Sequence, residues 1–437
     1  MAGLLYNLIN LRTEKKIGAD ILKKNPNPAQ ILESYPTEIQ LILNCARKDI
    51  DTETADRIKT LLKQKIDWQY LIQIAETHSV KPLLYQTLNN ICRDAVPQKI
   101  LTKLQKDFRT NAVRNLYLTR ELLELLDLFA KNNIPVFCFK GPSLAQCVYG
   151  DISLRQFSDL DILVYEKDVV KGKDLLVKQG NKMRFHVIEL DETEEAAFIE
   201  SETIHQFVKE SAYEFDYYNA QFVIELHWEV IPKYFAFPLS IEYLKEDITT
   251  VTLLNTSIPN LSPENYLLLL CGHGTKDCWD KLSRICDIAE LIHAYPQLNW
   301  QFVMEQAEKK GGMRIVLSGV LLAHNLLKAP LPNLVLEKIE LDIEIKKIVA
   351  QIQNWLFLDS QERSEQIKLF SFHLWTKERL KDKIWYALSL FLTPTTSDWS
   401  LLPKSNVPAI IYYLIRPIRM LVKYSLKRKS INTKVGN

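Results

Sequence analysis

The sequence has little of what marks several specialised protein classes. Glycine accounts for only 12 of the 437 residues, which excludes collagen-like chains and glycine-rich linkers. The 55 Lys and Arg residues are nearly balanced by 53 Asp and Glu residues, so the overall charge gives no strong indication of nucleic-acid binding. Hydrophobic residues, by contrast, make up 47% of the chain. This fraction excludes intrinsic disorder and is sufficient for several folded cores.

Paired cysteines and long apolar runs are also absent. The seven cysteines are scattered and none forms a Cys-x-x-Cys pair, so we expect reduced thiols in a cytoplasmic protein rather than a disulfide framework or a zinc site. No secretory signal is visible, because the first charges follow the N-terminal apolar stretch instead of preceding it. The longest apolar run, residues 315–327, is shorter than the about 18 residues of a membrane span. We therefore expect a protein that does not cross a membrane.

The periodicity of the apolar residues divides the chain into four regions. Residues 1–132 have mostly helical spacing. Short apolar runs separated by turn residues then predict an α/β unit at 133–232, including a hairpin around Asn219-Ala220. Helical patterns return over 233–398, and a basic tail occupies 399–437. The sequence therefore predicts a small sheet-containing unit inside an otherwise helical protein.

The basic tail is amphipathic. It contains no Asp or Glu and eight Lys or Arg residues, and aliphatic side chains occupy its other face. Pro417 predicts a kink or a new helix start. Such a helix can lie on an anionic membrane or bind a partner, or it can pack its apolar face on the protein and leave its cations in solvent. The cations that follow helical spacing are Arg416, Arg419, Lys423 and Lys427.

Acidic and apolar residues alternate on one predicted strand, Asp159–Val164. Since alternate side chains of a strand share a face, Asp159 and Asp161 point one way while Leu160 and Ile162 point into the core. Two neighbouring carboxylates repel each other unless a cation lies between them, and hard divalent ions such as Mg²⁺ prefer oxygen ligands. This pattern favours a metal site over a pair of capping aspartates at a strand end.

A second predicted strand, residues 223–230, has the same alternation. Its polar face carries Glu225, His227 and Glu229. If it neighbours the first strand, Glu225 becomes the third carboxylate of a two-metal phosphoryl-transfer site and a candidate general base. The alternative is an ordinary solvent-facing glutamate, and His227 can either line the cleft or serve as a structural histidine.

A Lys-Gly turn precedes the first acidic strand. Gly141 allows backbone N–H groups to approach phosphate oxygens, and Ser143 can add a hydroxyl donor. Lys140 or Arg155 can add a positive charge. The competing interpretation of Lys140 is a solvated loop lysine.

Two other polar groups have alternative interpretations. Arg155 can pair with Asp159 or Asp151 instead of binding a nucleotide. The polar stretch 273–280, which begins at His273, can border the nucleotide or form a polar network between helices.

Together, these motifs resemble the nucleotidyltransferase (polymerase-β-like) superfamily and, within it, the bacterial group of uncharacterised nucleotidyltransferases. The resemblance implies an α+β fold, in which a small mixed-sheet palm is embedded between mostly helical N- and C-terminal regions. It also implies transfer of a nucleoside monophosphate from an NTP such as ATP, with Mg²⁺ or Mn²⁺ as cofactor. The motifs that carry it are Phe139-Lys140-Gly141, Arg155 with Asp159-Leu160-Asp161, and Ile224-Glu225-Leu226-His227-Trp228.

The resemblance also implies roles for single residues. Asp159, Asp161 and Glu225 become the catalytic carboxylates and metal ligands. The sequence departs from the family pattern in the phosphate loop, where Gly141-Pro142-Ser143 replaces a Gly-Ser dipeptide and the gap to the first aspartate is longer than usual. The residues expected to bind the nucleotide are Lys140, Gly141, Ser143 and Arg155.

Two functional hypotheses follow. The first is a Mg²⁺-dependent nucleotidyltransferase whose acceptor hydroxyl, on a sugar, another small molecule or a protein, is unknown. The second is a non-catalytic nucleotide-binding or membrane-surface accessory protein with the same fold. In either case we expect a cytoplasmic protein, with peripheral contact to the inner face of an anionic membrane as a further option for the tail.

Overall fold

The computed structural model describes residues 32–184, 214–219, 221–359, 362, 369–394, 398 and 410–420. The first 31 residues of the predicted N-terminal region and most of the predicted tail lie outside this description. All seven cysteines are free thiols, as expected. Among the described residues, no helix combines the length and the apolar character that crossing a membrane requires.

The N-terminal part is helical. Its helices are α1 (Thr37–Cys45), α2 (Thr52–Leu61), α3 (Trp68–Thr77), α4 (Lys81–Ile91) and α5 (Gln98–Lys131). Asp51 and Asp67 begin two of them by accepting hydrogen bonds from backbone N–H groups of the first turn. The 34-residue helix α5 contributes Leu104 to a core with α1–α4 and Leu122 to a second core behind the sheet. One long helix therefore connects the helical part to the sheet.

A five-stranded mixed sheet follows, which confirms the predicted α+β fold class. Its strands are β1 (Val136–Cys138), β2 (Asp159–Val164), β3 (Lys182–Arg184), β4 (Glu214–Tyr218) and β5 (Val223–His227). They lie in the order β1-β2-β5-β4-β3, with β2 and β5 parallel and all other neighbours antiparallel. The antiparallel pair β4–β5 is the predicted hairpin. The two strands predicted to carry acids are therefore neighbours at the centre of the sheet.

The two faces of this sheet differ in polarity. Leu160, Ile162 and Leu226 face a core that includes the C-terminal half of α5 and helix α6 (Val169–Lys178). Because side chains alternate along a strand, the acidic residues of β2 and β5 all point to the opposite face. One face thus holds the sheet in place by apolar packing, and the other is available for polar chemistry.

A hairpin and a set of helices form the C-terminal part. The hairpin consists of β6 (Ile248–Leu253) and β7 (Thr256–Leu261). The helices are α7 (Pro263–Lys276), α8 (Leu282–Ala294), α9 (Trp300–Lys310), α10 (Met313–Leu327), α11 (Asn333–Leu341), α12 (Ile343–Leu356), α13 (Leu369–Trp375) and α14 (Leu380–Leu392). Residues 410–420 are also helical, and this helix continues across Pro417 without a new start.

Two glycines allow bulky side chains to pack closely against helix α7. A Cβ atom at Gly272 would lie 2.2 Å from the Cδ1 atom of Ile231, and one at Gly274 would lie 2.5 Å from the ring of Trp279. Both distances are far below van der Waals contact, so no larger residue fits without displacing its neighbours. The buried His273 lies between the two glycines and is held in this tightly packed layer.

Candidate active site

The parallel pairing of β2 and β5 brings carboxylates from two distant segments together. Asp161 is directly opposite Glu225 in the register of the two strands. His227, two residues further along β5, lies on the same face. Potential ligand atoms of Asp161, Glu225 and His227 all lie within 4.8 Å of one another. The cluster therefore arises from strand alternation in two segments and from the register between them.

Asp161 is the most buried carboxylate of the cluster, with 4% of its side chain exposed. Its Oδ1 atom accepts a hydrogen bond from the Nζ atom of Lys140 at 2.8 Å and lies 3.3 Å from the Nε2 atom of His227. Burial by itself would raise the pKa of Asp161, but Lys140 and His227 outweigh it and hold that pKa well below its usual range. Asp161 is therefore an ionised carboxylate at the centre of the site.

Lys140 is not a solvated loop lysine. Its side chain is largely buried, and its ammonium lies over the ring of Phe139, 5.1 Å from the centroid. Burial would lower the pKa of Lys140, but the charges of Asp161 and Glu225 and the hydrogen bond to Asp161 raise it above its ordinary value. Lys140 thus supplies a permanent positive charge to the acidic face.

Asp159 lies on the same face but outside the closest cluster. It is partly exposed, and its pKa is raised to about 6 by burial and by the negative charges of Asp161 and Glu225. His227, whose Nε2 atom is 3.2 Å from the Oε2 atom of Glu225, takes the position nearest to the other two acids. Strand alternation had put His227 on this face, but side-chain type alone could not distinguish a member of the site from a structural histidine.

The site opens to solvent at one end. β2 and β5 are parallel, so both begin at the same edge of the sheet. Near that edge Asp159 and Val223 are partly exposed and Glu225 has 24% of its side chain exposed, whereas His227, further along, is fully buried. A ligand can therefore reach the carboxylates from the edge where the two strands begin.

The Lys-Gly turn packs directly against the first acidic strand. Gly141 has a φ of +51°, a conformation that favours glycine, and it begins a single helical turn, Gly141–Leu144. A Cβ atom at this position would lie 3.6 Å from the carbonyl oxygen of Asp159. The turn thereby directs Lys140 toward Asp161, while a phosphate contact by Gly141 remains a prediction.

Ser143 is fully buried in that turn. Its hydroxyl donates a hydrogen bond to the carbonyl oxygen of Lys140 at 3.0 Å and lies 3.0 Å from the hydroxyl of Tyr266 on α7. These contacts connect the turn to the helical part of the protein. The contact of Ser143 with a phosphate stays a prediction, and it would require the hydroxyl to leave these partners.

Arg155 pairs with Asp287 on α8, not with Asp159 or Asp151. Its Nε atom donates to the Oδ1 atom of Asp287 at 3.0 Å and its Nη2 atom to the Oδ2 atom at 3.0 Å, while the hydroxyl of Tyr149 donates to the same carboxylate at 2.9 Å. The arginine therefore connects the sheet-containing unit to the C-terminal helices. This ion pair forms without a nucleotide, and nucleotide binding by Arg155 remains a prediction.

The polar stretch after His273 divides into two parts. The ring of His273 is buried 6.3 Å from that of Phe139, which in turn lies 4.9 Å from that of His227. Burial and the nearby cations Lys140 and Lys276 hold the pKa of His273 well below its usual range, so it is a neutral imidazole. The two acids that follow His273 pair with Arg284 just beyond the end of helix α7. These acids are Asp277 and Asp280.

The donor atoms fit a divalent cation. Two carboxylates from adjacent strands are the ligands that Mg²⁺ and Mn²⁺ prefer, and the imidazole of His227 suits Mn²⁺ better than Mg²⁺. In the structure, the ammonium of Lys140 provides the positive charge next to Asp161. A cation held by Asp161 and Glu225 would therefore add to, or take over, the role of that ammonium.

Comparison with known proteins agrees with this geometry. A family model described as an uncharacterised nucleotidyltransferase matches residues 64–328, from just before α3 to the end of α10. The matched region contains every predicted site residue and the sheet. Searches of curated proteins and of solved structures found no match. Because the family model covers more than half of the chain, the protein belongs to the family of uncharacterised nucleotidyltransferases.

Proposed function

We propose that this protein transfers a nucleoside monophosphate from an NTP to an acceptor hydroxyl at the acidic face of β2 and β5, in a reaction that depends on Mg²⁺ or Mn²⁺. The observation that carries the proposal is the register of Asp161 opposite Glu225, with Asp159 on the same face. Three acids share this partly buried face with Lys140 and His227. Burial and the mutual repulsion of the acids raise the pKa of Asp159 to about 6, and this repulsion favours binding of a cation.

Asp161 and Glu225 would hold the metal, with His227 or Asp159 as a further ligand. When bound, the metal supplies positive charge to the phosphate oxygens and lowers the pKa of an oxygen nucleophile. The chain's own contribution is the placement of these acids on two adjacent central strands, whose register fixes their spacing.

In the proposed reaction, a bond forms between the acceptor oxygen and the α-phosphorus, the bond from that phosphorus to the β-phosphate bridge breaks, and pyrophosphate leaves. The proton of the acceptor hydroxyl passes to a carboxylate at the open end, Glu225 or Asp159. The ammonium of Lys140 is close enough to Asp161 to move between this acid and a phosphate oxygen.

The decisive experiment compares Asp161→Asn with the wild-type full-length protein. Each protein is incubated with radiolabelled NTPs, Mg²⁺ or Mn²⁺, and a cell extract separated into small molecules and proteins as sources of acceptor. We expect label in one fraction together with pyrophosphate release, and a loss of about 10²-fold or more in the variant. The fraction that takes up the label identifies the acceptor class.

Asp174→Asn is the matched control, because Asp174 is exposed on α6 and lies away from the acidic face. It should transfer label at the wild-type rate. Circular dichroism and thermal unfolding verify that both variants are folded. Undiminished transfer by a folded Asp161→Asn protein would contradict the proposal.

One observation favours the second hypothesis, a nucleotide-binding protein without turnover. Asp161 lies 2.8 Å from the ammonium of Lys140 and 3.3 Å from the Nε2 atom of His227, and contacts of this kind can serve binding alone. Calorimetric titration with NTP and Mn²⁺ distinguishes the two. Binding without release of pyrophosphate, in the presence of every acceptor fraction, would support the non-catalytic function.

A further inference from the structure

Helix α14 presents a continuous apolar stripe to solvent. Every fourth residue from its start is an exposed aliphatic side chain, and Trp385 beside them is 55% exposed. The side that faces the protein buries Asp382, Tyr386 and Ser389. An ordinary surface helix buries its aliphatic side chains, whereas α14 leaves these residues in solvent. The exposed aliphatic residues are Leu380, Ile384, Leu388 and Leu392.

The helix formed by residues 410–420 also exposes an apolar stripe, although it buries Tyr412. Ile410, Leu414 and Ile418 are each more than 60% exposed, and they also recur every fourth residue. Arg416, by contrast, is buried and pairs with the buried Asp398 at 3.2 Å. A tail helix packed on the protein was expected to bury its apolar side and to keep its cations in solvent. In this helix Tyr412 is buried, but an aliphatic stripe is exposed and the cation Arg416 is buried.

These two helices lie next to each other. The Nη2 atom of Arg416 donates a hydrogen bond to the carbonyl oxygen of Leu390 at 3.0 Å, so an inward-facing arginine of one helix contacts the end of the other. Single exposed apolar residues are normal on a protein surface, but periodic stripes on two adjoining helices are not. Exposing such an apolar surface to water is unfavourable in free energy, and burying it against an apolar partner is favourable.

We propose that α14 and the helix of residues 410–420 form a docking surface for an anionic lipid bilayer. The positive charge of the tail favours an anionic bilayer as the partner. Residues 399–437 include eight Lys or Arg residues and no acid, and two of these cations, Arg416 and Arg419, pair with the buried Asp398. Lys381 lies on the exposed face of α14. Anionic headgroups attract such a segment, and aromatic side chains such as Trp385 favour the boundary between lipid and water. A second copy of the chain would bring two positively charged surfaces together, which disfavours self-association.

The test measures sedimentation of the full-length protein with lipid vesicles. We expect co-sedimentation with vesicles of phosphatidylserine and phosphatidylcholine, and much less with phosphatidylcholine alone or in high salt. The double variant Trp385→Gln with Leu388→Gln should lower the partition coefficient about 10-fold or more. Both side chains are more than half exposed, and the variant loses the hydrogen bond that the indole N–H of Trp385 donates to the carbonyl oxygen of Lys233. Circular dichroism and thermal unfolding verify that it is folded.

The matched control is Val113→Gln with Leu341→Gln. These residues are 70% and 86% exposed and lie on α5 and α11, away from the proposed surface. The control should bind vesicles like the wild type. The proposal is overturned if the wild type stays in solution with anionic vesicles, or if the control loses binding as strongly as the test variant. It is also overturned if light scattering detects a dimer that only the test variant abolishes, since the surface would then be covered by a second copy.

Discussion

Two buried carboxylates in this protein, Asp161 and Asp287, differ in how their charge is balanced. Their side chains are 4% and 5% exposed; Asp161 lies against Lys140 and His227, and Asp287 pairs with Arg155. Asp287 receives three hydrogen bonds from the guanidinium of Arg155 and one from Tyr149, so this anion is paired directly with one cation. The ion pair at Asp287 is therefore complete without a ligand.

Asp161 has no such balance. Its partner Lys140 also faces Glu225 and Asp159, and the pKa of Asp159 is raised to about 6 partly because these acids repel it. Glu225 and Asp159 are open to solvent at the sheet edge. Burial and ion pairing alone therefore do not distinguish a structural carboxylate from a functional one. Several like charges close together, next to a solvent-exposed edge, do distinguish the functional one.

Removing Asp287 should give the largest loss of stability. Asp287→Ala leaves the guanidinium of Arg155 buried without its counter-charge, which typically destabilises a protein by about 3–5 kcal/mol. Urea denaturation followed by circular dichroism measures the change in the free energy of unfolding. The exposed Glu308→Ala on α9 is the control and should be near neutral.

A double variant isolates the role of the ion pair. Arg155→Met combined with Asp287→Leu removes both charges, and it should recover much of the stability lost in Asp287→Ala, because no uncompensated charge remains. If the double variant is less stable than Asp287→Ala, the ion pair is not the source of the effect, and the comparison between the two carboxylates fails.

Lys140→Met should make stability depend on a metal. In the presence of EDTA, the variant leaves three acids without their cation, so we expect a loss of about 2 kcal/mol. Mn²⁺ or Mg²⁺ should restore most of this stability, because a bound cation compensates the same charges. Thermal unfolding with EDTA and with MnCl₂ measures the effect.

Lys171→Met is the control for this experiment, because Lys171 is an exposed lysine that pairs with Asp168 away from the acidic face. Its response to the metal should match that of the wild type. Equal metal-induced shifts of the melting temperature in wild type, Lys140→Met and control would show that Lys140 and the metal do not compete for the same acids.

The sequence contained most of the information about the acidic face. The alternation of polar and apolar residues is local, so it predicted which residues of Asp159–Val164 and of the second strand share a face. The parallel pairing could only be stated as a condition, because register depends on residues far apart in the chain. The structure meets that condition by pairing Asp161 with Glu225.

Contacts between distant regions of the chain could not be predicted from the sequence. Arg155 and Asp287 are 132 positions apart, and Ser143 and Tyr266 are 123 positions apart, so no spacing rule connects them. Both contacts depend on how the C-terminal helices pack beside the sheet. The inward direction of Arg416 has the same origin, since its buried partner Asp398 precedes the helix. Helical periodicity predicts two faces of a helix but not which face the protein buries.

The smallest expected effect concerns a third buried carboxylate, Glu290 on α8. Its hydrogen bond comes from the backbone N–H of Lys48, whereas Asp161 and Asp287 accept hydrogen bonds from cations. Burial raises its pKa to about 7, from 4.5. Between those pH values the folded state binds more protons than the unfolded state, so this group makes stability fall as the pH rises. Glu290→Gln removes that dependence.

Relative to wild type, the Glu290→Gln variant should therefore be more stable at about pH 8 than at about pH 5, by on the order of 1–2 kcal/mol. Urea denaturation across this pH range gives the difference between the two proteins. Comparing them directly is necessary because Glu229, whose pKa is also raised to about 7, adds the same trend to both. A stability difference that does not change with pH would mean that the backbone hydrogen bond stabilises the charged form of Glu290 as well as a cation does. Buried acids with and without a cation partner would then not differ in how their charge is stabilised.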